Sequence, residues 1–282
     1  MIRVLIEPTT FEILPVQQNQ NPYINIHHEF TKRKVMKQHS ALSKVINSPI
    51  VYTLPKTDVP LPDIVFLANG GLSLPRLPGP CVVLPHMKYE QRKSELPYLK
   101  KMYDTIGIHF IEYPGAEPFE GQAELKWFCG GTKAICGYGF RSTKKTFREL
   151  DRLFKTIYGD HSPELLVLPL ISADYYHLDV AMLEYSDSKC IVHRKAFSEN
   201  SLKKIMNFLG KENVTVLDTT DSFCLNAFVD GSNLITHKLS DPRLKPMFEK
   251  LTGRSVLQID TSEFEQSGGS VRCMTLDIYI NK

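Results

Sequence analysis

The sequence predicts an α/β fold in one domain spanning residues 1–282, and three observations carry that prediction. Five segments show apolar residues at helical spacing. Short runs rich in β-branched and aromatic residues lie between them. The helices recur at intervals of roughly 45–60 residues, each followed by one strand and then by a strand pair. Such a rhythm fits two architectures. One is an α/β sandwich with a mixed sheet; the other is a ring of five strand-strand-helix-strand units with a site at its centre.

The elements follow in order. Ile2–Ile6 is an aliphatic strand, and Glu29–Ile46 is the first amphipathic helix. Ile50–Leu54, Ile64–Leu67 and Val82–Leu84 read as strands, then Tyr89–Thr105 as a helix, then Ile108–Tyr113 and Ala134–Gly137 as strands. Ser142 is placed to cap Thr143–Tyr158, with Gly159 past its end. Leu165–Leu170, Val180–Leu183 and Cys190–His193 follow as strands. Ser198 caps Glu199–Leu209, which Gly210 ends. Val214–Leu217 is a strand, and Leu225–Val229 and Leu234–His237 form a hairpin about Asp230-Gly231-Ser232-Asn233. Asp241 and a first-turn Pro242 open the helix Pro242–Leu251, with Gly253 beyond it. Val256–Ile259 and Cys273–Ile280 complete the chain.

Composition narrows the function. At 42% hydrophobic residues the chain can bury a sizeable core. The net charge of +3 is close to neutral, and its bases interleave with acids on helix faces such as KKTFRELDRLFK. That pattern argues against a nucleic-acid partner. The start MIRVLIEP lacks the basic flank and apolar stretch of a signal peptide, and no window reaches the length of a membrane span. The six cysteines are dispersed, without a CxxC pair or a His/Cys cluster suited to a metal. Free thiols in a reducing, cytoplasmic compartment are expected.

Four segments carry candidate chemistry. In Tyr175-Tyr176-His177-Leu178-Asp179-Val180, an extended backbone would point His177 and Asp179 into one space, pairing an imidazole with a carboxylate. In Ser267-Gly268-Gly269-Ser270-Val271-Arg272-Cys273, two glycines permit unusual backbone angles and close approach, and they lead to a thiol at the mouth of the final strand. A thiolate near neutral pH needs nearby positive charge, which a cationic substrate or His177 could supply. Pro118-Phe119-Glu120-Gly121-Gln122-Ala123-Glu124 can aim a carboxylate into a cavity, and buried carboxylates suit planar guanidinium groups. Pro62-Asp63-Ile64-Val65-Phe66-Leu67-Ala68-Asn69-Gly70-Gly71 sets an amide at a strand end, which as a plain turn would need no function.

Taken in order, these segments resemble the superfamily of arginine deiminases, dimethylarginine dimethylaminohydrolases and amidinotransferases. Further matching stretches are Gly137-Tyr138-Gly139-Phe140-Arg141-Ser142, Phe223-Cys224-Leu225-Asn226-Ala227 and Cys273-Met274-Thr275-Leu276. The resemblance implies a five-bladed α/β propeller, the pentein fold. It implies that Cys273 attacks a guanidino carbon to give a thiouronium-type intermediate, and that His177 serves as acid and base. It implies that Glu120 and Asp179 hold the guanidinium, with Asn69, Glu124, Arg141 and Phe66 as further substrate-binding residues. No metal or organic cofactor is implied, and a homodimer is compatible with it.

The chain departs from the family pattern at two places. Gln122-Ala123-Glu124 stands where many relatives have glycine and aspartate, and arginine deiminases carry an aspartate at the place of Asn69. The expected activity is therefore hydrolysis of an arginine-like guanidino compound to a ureido product and ammonia or an amine. The alternatives are transfer of the amidino group to an amine, and a non-catalytic binding protein on the same fold. Cys224 is the one other cysteine placed to approach the site, through its neighbour Asn226.

Overall fold

The computed structural model describes residues 1–280. Strand β1 (Ile2–Ile6) pairs in parallel with β2 (Ile50–Tyr52). Strands β3 (Leu72–Ser73), β4 (Cys81–Val83) and β5 (His109–Ile111) form one sheet, and β6 (Leu125–Phe128), β7 (Lys133–Tyr138) and β8 (Glu164–Pro169) another. Strands β9 (Met182–Glu184), β10 (Cys190–His193) and β11 (Val214–Leu217) make the next, followed by β12 (Phe228–Asp230), β13 (Asn233–His237) and β14 (Ser255–Ile259). The last strand, β15 (Leu276–Ile278), returns to pair antiparallel with β1. The result is five separate three-stranded sheets in place of one mixed sheet. In each, with β15 counted as the first strand of the sheet it forms with β1 and β2, the first two strands are antiparallel and the second and third parallel.

A parallel pair needs a crossover, and a helix supplies it every time. These helices are α1 (Lys32–Val45), α2 (Glu90–Lys93) with α3 (Leu96–Thr105), α4 (Lys144–Tyr158), α6 (Glu199–Leu209) and α7 (Leu244–Thr252). Two further short helices, α5 (Leu178–Ala181) and α8 (Ser262–Glu265), lie outside the crossovers. Each crossover helix lays its apolar stripe on a sheet: Val35 and Leu42 of α1, Leu99 and Met102 of α3, Phe147, Leu150 and Phe154 of α4, Leu202 and Ile205 of α6, and Leu244 and Phe248 of α7 are all buried.

Several expected boundaries shift, for physical reasons. The second helix breaks in two because Pro97, near the start of α3, has no N–H to continue the ladder. Thr143, one residue after Ser142, caps α4 by accepting from the amides of Lys145 and Thr146. Pro242 stays outside α7, where the Asp241 side chain accepts from the Arg243 amide and holds a turn. Ile64–Leu67 is not a strand. Its apolar side chains are buried in turns leading to a 3₁₀ turn at Leu67–Gly70, as a short apolar run alone cannot distinguish. The expected strands at Val180, Leu225 and Cys273 begin later, at Met182, Phe228 and Leu276, each after a tight turn. Strands β3 and β6 were not anticipated.

These shifts share a consequence. The first strand of every unit is entered through a compact turn, at Leu67–Gly70, Gly121–Ala123, Leu178–Ala181, Phe223–Asn226 and Arg272–Thr275. The turns touch one another. The Ala68 amide donates to the Cys273 carbonyl at 2.9 Å, the Gln122 amide to the Gly71 carbonyl at 2.9 Å, and the Asn226 side chain to the Asp179 carbonyl at 3.2 Å. The Gln122 side chain also joins the Thr275 carbonyl and the Asp277 amide.

Candidate active site

Each entry turn delivers one or two polar side chains to a common place. Asn69, Glu120, His177 with Asp179, Asn226 and Cys273 come from the five turns in chain order, and all are buried. His177 and Asp179 do not share a strand. His177 is extended (φ −124°, ψ 154°) just before α5 and Asp179 sits in its first turn, so the two side chains reach the site on different paths.

Cys273 is held on three sides. The Asn226 carboxamide oxygen accepts from the amides of Arg272 (3.0 Å) and Cys273 (3.2 Å), and its nitrogen donates to Cys273 Sγ at 3.1 Å. The thiol in turn donates to Asp179 Oδ2 at 3.4 Å. Burial pushes the thiol well above its ordinary range, and the Asp179 carboxylate pushes it further. The resting sulfur is therefore a protonated thiol. Asp179 Oδ1 is buried with neither a hydrogen bond nor an ion pair among the described residues.

His177 Nε2 lies 2.9 Å from Glu120 Oε2. Burial lowers the imidazole pKa and outweighs the Glu120 carboxylate, which raises it, so the ring is neutral at rest. Burial alone would raise the Glu120 carboxyl, but Arg141, His177 and Arg92 hold it well below the usual carboxylate range. Glu120 is already crowded: Arg141 Nη1 donates to Oε2 at 3.0 Å and the Lys88 amide to Oε1 at 3.2 Å. Glu124 stands behind it, accepting from the Glu120 amide at 2.8 Å. Burial and the neighbouring Glu120 push its pKa up to about 8.

The Asn69 side chain accepts from Arg92 Nη1 at 2.8 Å, which turns its amide nitrogen toward the Glu120 carbonyl (3.4 Å) and His177 Nε2 (3.5 Å). Arg141 is stacked between the rings of Tyr89 and Tyr176 and donates to the Gln20 carbonyl. Phe66 packs over Gly269, where an added Cβ would come 2.1 Å from the ring. Gly268 has φ +90°, and a Cβ there would meet the Asn21 side chain at 2.5 Å. The glycine pair is thus required by close packing beside the site.

Of the residues singled out by sequence, Phe66, Asn69, Arg141, His177 and Cys273 line one narrow cavity. Glu120 and Asp179 back it, and Glu124 lies behind Glu120. The cavity's free space is ≈ 20 Å³, about what one water occupies. Residues Gln20, Asn21 and Ile24 roof it and separate it from an outer cavity of ≈ 540 Å³ that Lys88, Tyr89 and Phe140 also line. Cys224 does not line the cavity; Asn226, two residues on, acts through its contacts with Cys273. Arg92, Asp63 and Tyr176 were not anticipated as lining residues. Among the described residues no group of three or more His, Cys, Asp or Glu side chains is arranged around a metal position, and no helix is long and apolar enough to cross a membrane.

No protein-family model matches the chain. It is 30% identical over 264 residues to the bifunctional arginine dihydrolase/ornithine cyclodeaminase ArgZ of Synechocystis, covering 92% of this chain and 35% of ArgZ. It is 25% identical over 221 residues to the dimethylarginine dimethylaminohydrolase of Mycobacterium tuberculosis, covering 78% of this chain and 67% of that one. The chain thus spans about a third of the length of ArgZ, and the same 35% of the related AgrE of Nostoc. The crystal structure of the N-terminal domain of ArgZ with bound substrate, a cysteine-to-serine variant, superposes with a TM-score of 0.81 at 27% identity, covering 97% of this chain and 96% of that one. The same domain covalently bound to a reaction intermediate gives 0.80 at 26% over the same shares.

Proposed function

We propose that this chain, which belongs to the superfamily of arginine deiminases, dimethylarginine dimethylaminohydrolases and amidinotransferases, is a cysteine-dependent hydrolase of a guanidino substrate, with arginine the first candidate. The observation that carries the proposal is the unpartnered, fully buried Asp179 carboxylate oxygen beside the Cys273 thiol. A buried carboxylate oxygen without a hydrogen-bond partner is costly, and a guanidinium supplies planar donors for it together with positive charge.

The proton chemistry follows from the resting charges. With the thiol protonated and the imidazole neutral, the free enzyme is quiet. A guanidinium on Asp179 offsets the carboxylate that holds the thiol up, and the thiol proton can pass to His177. The Sγ–C bond then forms, the C–N bond to the leaving nitrogen breaks, and His177 returns the proton to the departing ammonia or amine. Water activated by the neutral His177 attacks the thiouronium carbon, the C–S bond breaks, and a ureido product leaves. Glu120, occupied by Arg141 and His177, orients the imidazole. Asn69, with its nitrogen aimed inward by Arg92, is a donor to the substrate.

The same reading covers the chain as a whole. Residues 1–282 are read as one domain whose five sheets are the blades of a propeller, the six free cysteines suit the cytoplasm, and a homodimer is compatible with this reading. The test is product analysis by mass spectrometry after incubation with arginine, methylated arginines, agmatine and guanidino acids, with and without glycine or ornithine. A ureido or fully hydrolysed product made without an amine acceptor supports the hydrolase. Product only with an acceptor would replace it by amidino transfer, and no turnover would overturn it.

A further inference from the structure

The buried histidine of β13 lies outside the cavity yet is tied to both segments that hold the thiol. His237 Nε2 is 2.8 Å from Asp221 Oδ1, and Nδ1 is 3.2 Å from Glu265 Oε1. Nδ1 is hydrogen-bonded to Glu265, while Nε2 meets Asp221 as an ion-pair contact without hydrogen-bond alignment, so the protonated ring is the form whose charge serves both carboxylates. The partners' other contacts leave it this role. Ser240 donates its amide and hydroxyl to Asp221 Oδ2, and Thr261 donates to Glu265 Oε1 at 2.6 Å.

Each carboxylate leads to Cys273 by a short path. Asp221 opens the turn that ends in Asn226, whose side chain binds the Arg272 and Cys273 amides and the sulfur itself. Glu265 anchors the stretch that follows α8. Thr261 Oγ1 bridges Glu265 to Ser270 Oγ at 2.7 Å, the Gly268 amide donates to the Glu265 carbonyl, and the Ser270 carbonyl receives the Met274 amide. One arm therefore holds the thiol through Asn226, and the other holds the glycine turn that leads into it.

We propose that His237 is a positioning residue, an imidazolium clamp that joins the Asn226 turn to the Cys273 turn, and that loss of its proton sets the alkaline limit of the site. This rests on Cys273 being the nucleophile of the proposed hydrolase. Burial works against the charged ring, but Asp221 and Glu265 outweigh it and raise its pKa from 6.5 to about 9. Those two carboxylates are the charged groups facing the ring; Phe223, edge-on at 6.2 Å, and Ser240 carry no charge. Cys224 and Tyr23, near Asp221, are both pushed up by burial and stay neutral through that range, while Asp241 is held low by Arg243.

The experiment is the pH dependence of kcat/KM for wild type, His237→Gln and Glu265→Gln, beside the imidazole titration of His237 by NMR. Wild type is expected to lose activity reversibly with a midpoint near 9. His237→Gln, which can serve only one carboxylate, is expected to lose roughly 10- to 100-fold at neutral pH and to lose the alkaline limb. Glu265→Gln, which leaves one counter-charge, is expected to move the limb down by about one pH unit or more. An unchanged limb in both variants would overturn the proposal. If His237→Gln does not fold, Glu265→Gln decides alone. If wild type turns over no guanidino compound, the function fails while the clamp is still judged by NMR: a midpoint near 9 that falls in Glu265→Gln upholds it, and an ordinary midpoint refutes it.

Discussion

Arg272 and Cys273 are neighbours in sequence, but their side chains enter two buried charge networks of opposite character. Behind the site, Arg272 joins Asp277 at 3.0 Å and Glu184 at 3.4 Å. Lys126 joins Glu184 at 3.0 Å, and Arg3 joins Asp277 at 2.8 Å and Asp230 at 2.6 Å. Three cations there meet three carboxylates, each ion paired. In front, Cys273 faces Asp179, whose second oxygen has no partner among the described residues. The contrast separates structure from function. A network whose ions are all paired has nothing left to offer a ligand, whereas Asp179 keeps an oxygen free of hydrogen bonds for the planar donors of a cation.

The predictions set the two networks against each other. The largest effect belongs to the sulfur: Cys273→Ala should lower turnover by roughly 10⁴-fold or more, with the fold retained, as steady-state kinetics and circular dichroism would show. Asp277→Asn tests the rear network. It leaves Arg3 and Arg272 short of a charge, so urea unfolding should report a loss of about 3–5 kcal/mol. Asp179→Asn tests the front. It should reduce kcat/KM by roughly 10²–10³-fold while changing the stability of the free protein little, because it alters an oxygen that makes no hydrogen bond there. If Asp179→Asn proved as destabilising as Asp277→Asn, the distinction between the networks would collapse.

A smaller effect comes from His237. Its folded pKa of about 9 lies above its ordinary 6.5, so the stability it contributes is fully present below about pH 6.5 and is lost as pH rises through about 9. The difference corresponds to about 3 kcal/mol at most and should be absent from His237→Gln when unfolding is compared at pH 6 and pH 10.

How much of this was legible in the sequence divides along the same line as the structure. The peripheral helices were legible because an amphipathic period is local: Phe147, Leu150 and Phe154 mark the buried stripe of α4 without reference to any other element. Strand β6 was obscured by Lys126, a buried cation whose reason is Glu184, far along the chain. Four of the five entry turns overlap segments that read as strands, because their apolar residues are buried on all sides, as at Ile64–Leu67. His177 and Asp179 were paired on the premise of a shared strand face. They do converge, but through a helix start that reverses that premise.

The least legible residue was Arg92. It sits in Glu90-Gln91-Arg92-Lys93, which has the composition of a solvated helix surface, and only the folded chain reveals its buried contacts with Asn69, Asp63 and Glu95. Asn226 belonged to a quoted motif, yet nothing local indicated that its side chain would hold three atoms of the Arg272–Cys273 segment. Residues whose role is to orient another side chain leave no periodicity behind, and this site depends on several of them.

The central claim is that Cys273 forms a covalent bond to a guanidino carbon once Asp179 has bound the cation. The direct measurement is the mass of the Cys273 peptide after wild type is mixed with arginine and quenched in acid within one turnover. The account predicts Cys273 carrying arginine less ammonia, as an alkylthiouronium, in wild type, and far less of it in Asp179→Asn. Release of ammonia or amine from arginine with Cys273 unmodified at every time point would contradict it.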